Sequence, residues 1–192
     1  MAASGKETEI KLRAGSAVEA QQRIEAAGFV VARPRLFETN QLLDTPAGLL
    51  KSRGEVLRIR QCGGENILTY KGPAERGRHK SREEIETQAG DAAALLTVLA
   101  RLGFAPTYRY EKFRTEFAHP GEHGVVTVDE TPIGVFVEVE GHSDWIDKTA
   151  SALGYSEKDY IIESYASLFR IYCVDNDLEV GTGMIYGKHL SV

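Results

Sequence analysis

Charged residues occupy every second position in several separate segments of the chain. The repeated positions are Glu7, Glu9 and Lys11; Arg58 and Arg60; Lys71; Arg82, Glu84 and Glu86; Lys112, Arg114 and Glu116; Asp129; and Glu138 and Glu140. Because alternate residues of a β-strand point to one side of a sheet, this spacing predicts a shared face with seven Lys or Arg and eight Asp or Glu. Lysine and arginine bind phosphate oxygens, and carboxylates bind hard divalent cations. The pattern therefore indicates a site for a polyphosphate together with a divalent cation.

Two pairs of carboxylates have the spacing that a cation site requires. Glu7 and Glu9 share one predicted strand face, and Glu138 and Glu140 share another, so each pair can direct two side chains at the same ion. The two cysteines and five histidines form no cluster of softer ligands. Oxygen ligands alone favour Mg²⁺ or Mn²⁺.

Two other interpretations compete with an enclosed site. Each charged face could be exposed to water, as in many antiparallel sheets, although a solvated face usually mixes uncharged polar residues with its charges. The chain could also be a non-catalytic module that binds polyphosphate or a nucleotide, but that role would not need the complete acidic set. Because buried charges must pair with one another or with ligands, two dense sets of opposite charge agree best with an enclosed interior.

The opposite faces of the same segments are apolar and must be covered by other elements. Strands are predicted at 7–13, 55–62, 66–71, 80–87, 110–118, 125–129 and 134–141. Helices are predicted at 16–28, 91–102 and 143–153, with a fourth that starts near residue 156 and runs through residue 169. Seven or eight antiparallel strands with covering helices predict an α+β sandwich or barrel, formed by one domain over 1–192.

The composition limits the partners and the location. A net charge of −5 argues against nucleic acid or an anionic membrane as a partner. No apolar run approaches the roughly 20 residues of a membrane-spanning helix, and residues 1–9 have no export signal, so a cytoplasmic location is expected. The segment 175–192 lacks a periodic pattern and is predicted to be a flexible flap. The basic residues Arg76, Arg78, His79 and Lys80, at the end of the loop 72–79, indicate either a solvated loop or a mobile lid over the site. The sequence leaves a homodimer open.

Taken in order, these motifs resemble the CYTH superfamily. The matching segments are Glu7-Thr8-Glu9-Ile10-Lys11, Arg58-Ile59-Arg60, Leu68-Thr69-Tyr70-Lys71-Gly72-Pro73, Arg82-Glu83-Glu84-Ile85-Glu86, Tyr110-Glu111-Lys112-Phe113-Arg114, Asp129 and Glu138-Val139-Glu140. This superfamily includes class IV adenylate cyclases, thiamine triphosphatases and tripolyphosphatases. The resemblance spans about residues 7–170. It implies an eight-stranded antiparallel β-barrel, the triphosphate tunnel, with a charged lumen and helices outside.

The resemblance also implies a role for each charged position. Metal binding is expected from Glu7, Glu9, Glu138 and Glu140, with contributions from Glu84, Glu86 and Asp129. Phosphate binding is expected from Lys11, Arg58, Arg60, Lys71, Arg82, Lys112 and Arg114. The catalytic residues would be Glu9, Lys11, Lys71 and Asp129. The implied cofactor is Mg²⁺ or Mn²⁺, and the implied partner is a small triphosphate: ATP, tripolyphosphate or thiamine triphosphate.

Two reactions are compatible with these residues. The segments 68–73 and 110–114 look closer to sequences grouped with class IV cyclases, which implies conversion of ATP to cyclic AMP and pyrophosphate. The alternative is hydrolysis by a tripolyphosphatase, a thiamine triphosphatase or a nucleoside triphosphatase. Some triphosphatases of the superfamily supply a late basic residue that has no clear counterpart in this sequence, where Lys188 is a weak candidate, and this argues against a thiamine triphosphatase.

Overall fold

A computed structural model describes residues 3–187 of the chain. Its elements, in order, are β1 (Ala3–Ala14), α1 (Ala17–Ala26), β2 (Val30–Asp44), α2 (Leu49–Ser52), β3 (Val56–Cys62), β4 (Glu65–Lys71), β5 (Glu75–Arg76), β6 (Lys80–Gln88), α3 (Ala92–Arg101), β7 (Ala105–Ala118), β8 (Val125–Thr131), β9 (Gly134–Glu140), α4 (Ser143–Ala152), the 3-10 helix η1 (Glu157–Asp159), α5 (Tyr165–Asp175) and β10 (Gly183–Met184). None of the helices within 3–187 is long and apolar enough to cross a membrane.

Eight of the strands form a closed antiparallel barrel. The strand order is β1-β9-β8-β7-β2-β3-β4-β6, and β6 pairs again with β1, which closes the ring. Because β1 and β6 pair with each other, the sheet has no free edge where the ring closes. The short β5 adds to β6, and β10 pairs in parallel with β7. The predicted eight-stranded antiparallel barrel is confirmed.

The apolar faces of the barrel strands point outward and are covered by helices. The largest cluster joins α1 and α4 to the outer wall through Ile10, Leu12, Ile24, Phe117, Val126, Val137, Val139 and Ile146, all fully or almost fully buried. A second cluster places Leu99 of α3 against Leu43 and Ile59. Helices α1 and α3 begin at the predicted positions, and a side chain caps each start: Ser16 accepts the backbone N–H of Glu19, and Asp91 accepts those of Ala93 and Ala94.

Strand β2 is absent from the predicted strands. It pairs with β7 along its whole length but with β3 only from Glu38 onward, so its first half is exposed. The pairing shifts register between Val31 and Arg33 and again between Arg33 and Leu36. These irregularities surround Pro34, which cannot donate a ladder hydrogen bond. They interrupt the alternation on which the strand predictions rest.

The predicted fourth helix is wrong at its start. The chain forms η1 and then runs extended, and Ile161 exchanges two backbone hydrogen bonds with Lys11 of β1, at 2.8 and 2.9 Å. Helix α5 begins only at Tyr165, where Ser164 caps the backbone N–H of Ser167. This bridge carries the segment back to the barrel before the helix starts.

Helix α5 packs over one end of the barrel. Its side chains Tyr165, Leu168 and Phe169 cluster with Tyr110 of β7 and Phe136 of β9. Tyr110 and Phe136 have the same strand parity as Lys112 and Glu138, so they belong to the inner face of the wall. The apolar cluster therefore covers the lumen at this end.

The tail predicted as a flap packs on the barrel as far as it is described. Gly183 and Met184 pair with Arg109 and Tyr110 of β7, and Met184 is fully buried. The Tyr186 hydroxyl donates to the Glu130 carbonyl at 2.7 Å. Lys188 lies outside the described residues.

Candidate active site

The inner faces of the strands enclose a cavity of about 460 Å³. This volume lies within the about 300–1,000 Å³ that is usual for small-molecule sites. Its lining contains all seven predicted phosphate-binding residues, Lys11, Arg58, Arg60, Lys71, Arg82, Lys112 and Arg114. It also contains six of the seven predicted metal-binding residues, Glu7, Glu9, Glu84, Glu86, Glu138 and Glu140. The positions that alternate along separate strands thus meet in one site.

The cavity is cationic even though the chain is acidic overall. Among the described residues, its lining holds nine Lys or Arg and seven Glu, against a net charge of −5 for the whole chain. The excess of cations attracts an anionic ligand. The lining side chains are largely shielded from water, which strengthens that attraction.

Strand register places opposite charges next to each other. Lys11 of β1 lies opposite Glu138 of β9, and its Nζ is 3.2 Å from Glu138 Oε1 and 3.3 Å from Glu9 Oε1. Glu9 Oε1 is also 2.6 Å from Lys80 Nζ. Burial alone would raise the pKa of Glu9, but Lys11 and Lys80 hold it well below its usual value. Glu9 is therefore a charged carboxylate at neutral pH.

A second group of ion pairs surrounds Lys71. Its Nζ lies 2.9 Å from Glu7 Oε1 and 2.9 Å from Glu84 Oε2, and Arg82 Nε is 3.2 Å from Glu7 Oε2. Against the effect of burial, Lys71 contributes to lowering the pKa of Glu7 to about 2. Burial and the hydrogen bond with Glu7 raise the pKa of Glu84 to about 8. The two carboxylates share one ammonium, which favours a charged Glu7 and a protonated Glu84.

Two arginines of β3, Arg58 and Arg60, line another part of the cavity wall. Arg58 Nη2 donates to Thr69 Oγ1 and to Glu86 Oε1, each at 3.2 Å, and Arg60 Nη2 lies 3.5 Å from Glu86 Oε2. Arg58 Nη1 also lies 3.4 Å from the Tyr110 hydroxyl. Only one carboxylate, Glu86, approaches both guanidinium groups within ion-pair distance among the described residues. This wall is well suited to accept the oxygens of a phosphate.

Asp129 occupies a different position from the other predicted residues. It is fully buried and does not line the cavity. Its carboxylate accepts hydrogen bonds from Lys112 Nζ at 2.8 Å, from Arg114 Nε and Nη2 at 2.6 Å each, and from the Tyr165 hydroxyl at 2.7 Å. Arg114 also pairs with Glu138. The geometry favours a role in holding two cations at the cavity wall, and the metal-binding and catalytic roles of Asp129 stay predictions.

The sequence matches a known protein family over most of its length. The model of the CYTH domain matches residues 5–165, which contain every predicted site residue. The chain belongs to the CYTH domain family. A relative from Methanocaldococcus jannaschii, named "Putative adenylate cyclase MJ0240", is 25% identical over 172 residues, which cover 89% of this chain and 91% of the relative.

Solved structures show the same CYTH fold. A structure from Vibrio parahaemolyticus, described as that of a "putative adenylate cyclase", has a TM-score of 0.73 and 21% identity, and the match covers 85% of this chain and 97% of the other. A protein from Hippeastrum has a TM-score of 0.63 and 20% identity over 86% of this chain and 96% of its own. It is described as a "putative adenylyl cyclase" that reveals a dominant triphosphatase activity.

The carboxylates of this CYTH domain have the chemistry that a hard cation needs. Among residues 3–187, Glu140 has no ion pair or side-chain hydrogen bond. The residue is exposed, but partial desolvation of its carboxylate together with Glu7 and Glu9 raises its pKa to about 7. A cation placed among Glu7, Glu9, Glu138 and Glu140 would relieve this repulsion and receive only oxygen ligands. In the described part of the chain, no three His, Cys, Asp or Glu side chains are already arranged so that they could hold a metal ion. Glu7, Glu9 and Glu138 are instead paired with lysine or arginine.

Several residues near the site are absent from the predicted set. Lys80 lines the cavity with the parity of Arg82, so the alternation of β6 could have identified it. Ser164 and Tyr165 reach the cavity from the start of α5, and no local pattern predicts this. Glu38 of β2 is buried with its carboxylate 3.7 Å from Lys112 Nζ, and it was missed because its strand was missed.

Proposed function

We propose that the protein is a divalent-metal-dependent enzyme that acts on a triphosphate held in this cavity. The observation that carries the proposal is that all seven predicted basic residues and six of the predicted acidic residues, spaced along separate strands, line one cavity. We infer Mg²⁺ or Mn²⁺ as the cofactor, because the acidic groups offer only hard oxygen ligands. When bound, the ion would polarise a phosphoryl oxygen.

The ion pairs of the free cavity explain how the site can exist without ligand and still bind one. Lys71 and Arg82 neutralise Glu7, while Lys11 and Lys80 neutralise Glu9. An incoming triphosphate offers new anionic oxygens to the same cations, and the carboxylates then become available to the metal. This exchange keeps each buried charge compensated before and after binding, since an unpaired buried charge costs several kcal/mol.

Basic residues on several strands would orient the phosphate chain. Arg58 and Arg60 approach from β3, and Lys112 and Arg114 approach from β7. Charge that develops on the phosphoryl oxygens during the reaction would be stabilised by these fixed cations. Holding the chain in one geometry also removes much of the entropic cost of the reaction.

We infer cyclisation of ATP to cyclic AMP and pyrophosphate as the first reaction to test. The name of the relative that covers most of this chain supports this choice. Hydrolysis of a triphosphate is the second candidate. It is favoured by the lining, because among the described lining residues only Val125, Tyr110 and Tyr165 have an aliphatic or aromatic side chain. Such a lining offers little to hold an adenine ring.

A binding module without turnover is the third candidate and comes from another functional class. It would need the cations but would gain nothing from grouping four carboxylates, where desolvation together with Glu7 and Glu9 raises the pKa of Glu140. Retaining Glu7, Glu9, Glu138 and Glu140 together argues for a metal and therefore for chemistry.

Product analysis separates the three candidates. Purified protein is incubated with Mg²⁺ or Mn²⁺ and with ATP, thiamine triphosphate or tripolyphosphate, and the products are resolved by ion-exchange chromatography. Cyclic AMP with pyrophosphate supports the cyclase, and orthophosphate supports the hydrolase. Tight binding without product supports the module. The variant Glu9→Gln is the matched control, because it keeps the side-chain shape and removes one central carboxylate charge.

A further inference from the structure

A cluster of polar side chains on the outside of the barrel joins the loop 72–79 to the covering helices. Both oxygens of one carboxylate, Asp147 of α4, take part. Asp147 Oδ2 accepts from Arg78 Nη2 at 2.6 Å, Asp147 Oδ1 accepts from the Tyr160 hydroxyl at 3.0 Å, and His79 Nε2 lies 2.8 Å from Oδ1. Arg78 Nη1 also lies 3.6 Å from Glu157 Oε2. Two residues of the loop are thus tied to α4 and to the segment around η1.

This attachment is unexpected for a loop of this composition. Pro73, Glu75, Gly77 and Arg78 are exposed, and exposed loops with glycine are usually the most mobile parts of a domain. The side chain of His79 is only 9% exposed, and its ring packs against that of Tyr160 with centroids 5.9 Å apart. The predicted lid is therefore held in place, by the pairing of β5 with β6 and by the contacts of Asp147, rather than free over the cavity.

The residue after His79 points the other way. Lys80 begins β6, and successive side chains of a strand lie on opposite sides of the sheet. His79 reaches outward to Asp147, whereas Lys80 reaches into the cavity, where its Nζ lies 2.6 Å from Glu9 Oε1 and its side chain is 6% exposed. The backbone of Lys80 pairs with Glu9 of β1 and with Arg76 of β5, and the restraint on Arg78 and His79 acts on the same backbone from the loop side.

We propose that Asp147 is a positioning residue that fixes the loop through Arg78 and His79 and so holds the Lys80 ammonium where it contacts both Glu9 and a bound phosphate. The inference rests on the proposed function, since it adds Lys80 to the phosphate-binding set of the same site. Loss of the Asp147 charge releases the loop, and Lys80 then spends less time in its binding position. Residues that orient a binding group in this way typically contribute about tenfold or more to affinity or activity.

The test uses Asp147→Asn in the full-length chain, with Asp144→Asn as the matched control. Asp144 lies one turn earlier on α4, is exposed and has no ion pair among the described residues. Two measurements are made on each variant: the dissociation constant of tripolyphosphate with Mn²⁺ by calorimetry, and the rate at which trypsin cleaves after Arg78. We expect Asp147→Asn to weaken binding about tenfold and to accelerate cleavage. We expect Asp144→Asn to change neither. If Asp147→Asn does not fold, Arg78→Ala takes its place in the calorimetric measurement only, with a smaller change in the same direction, because it removes the trypsin site.

A double-mutant cycle distinguishes positioning of Lys80 from a general structural effect. In a Lys80→Met background, Asp147→Asn should weaken binding by less than about twofold, because the group it positions is gone. An unchanged dissociation constant in Asp147→Asn, or an effect that persists in full in the Lys80→Met background, overturns the inference. If the wild-type protein does not bind tripolyphosphate at all, the proposed function fails, which is a different outcome from equal binding by wild type and variant.

Discussion

Asp129 gives the sharpest prediction because one carboxylate holds two cations and a phenol without contact with solvent. The variant Asp129→Asn keeps the shape of the side chain but removes its charge. Breaking a buried ion pair by removing one partner usually costs about 3–5 kcal/mol, because the remaining charge stays buried without compensation. Here Lys112 keeps Glu38 at 3.7 Å and Arg114 keeps Glu138. We therefore expect a loss near the lower limit, about 3 kcal/mol.

Such a loss is large for a chain of this size. Typical free energies of unfolding are about 5–15 kcal/mol, and 3 kcal/mol corresponds to a decrease in melting temperature of about 6–12 °C. Urea denaturation followed by circular dichroism measures it, with Asp144→Asn as a surface control that should change stability by less than about 0.5 kcal/mol. A loss below about 1 kcal/mol in Asp129→Asn would show that Lys112 and Arg114 do not depend on this carboxylate, and the description of the cavity wall would be wrong.

Three further predictions concern Glu140, Lys71 and Asp44. Glu140→Gln should weaken Mn²⁺ binding measured by calorimetry and leave the melting temperature equal or higher. The reason is that it removes a carboxylate that lies near Glu7 and Glu9 and has no ion pair among the described residues. A marked loss of stability would contradict this. Lys71→Ala should abolish turnover in the product assay, because it removes a phosphate-binding cation and leaves Glu7 and Glu84 without their shared partner; full activity would exclude the proposed role. Asp44→Asn should cost about 2 kcal/mol in urea denaturation, because Asp44 accepts the backbone N–H groups of Thr45, Leu50 and Lys51 at 2.7, 2.9 and 3.0 Å. Burial raises the pKa of Asp44, but these hydrogen bonds lower it overall. The contribution of Asp44 to the free energy of unfolding is therefore complete above the unfolded pKa of about 3.9 and disappears as pH falls through the lower folded pKa. A stability difference between wild type and variant that stays undiminished in acid would refute this.

The charged lumen could be predicted from the sequence because strand alternation is a local property. Each of the segments around Glu9, Arg58, Arg82 and Glu138 shows which side chains share a face, and closure of the barrel then brings the faces together. Helix starts at Ser16 and Asp91 were predictable for the same reason, since a cap lies within three residues of the groups it satisfies.

What could not be predicted depends on contacts between distant parts of the chain. Strand β2 carries register shifts around Pro34, and only its pairing with β7 identifies it as a strand, so Glu38 was missed. The start of α5 is delayed because Ile161 pairs with Lys11, which is 150 residues earlier in the chain. That pairing brings Tyr165 to Asp129. Likewise, the contacts of Arg78 and His79 come from Asp147, Glu157 and Tyr160, which all lie far along the chain.

Calorimetric titration of tripolyphosphate into the wild-type protein, with and without Mn²⁺, tests the central claim most directly. The claim is that the barrel interior binds a triphosphate and a divalent cation together. The expected result is one binding site per chain that tightens when Mn²⁺ is present and is lost in a protein with Arg58→Ala and Lys112→Met. Absence of binding under both conditions, or binding that survives the double substitution unchanged, would contradict it.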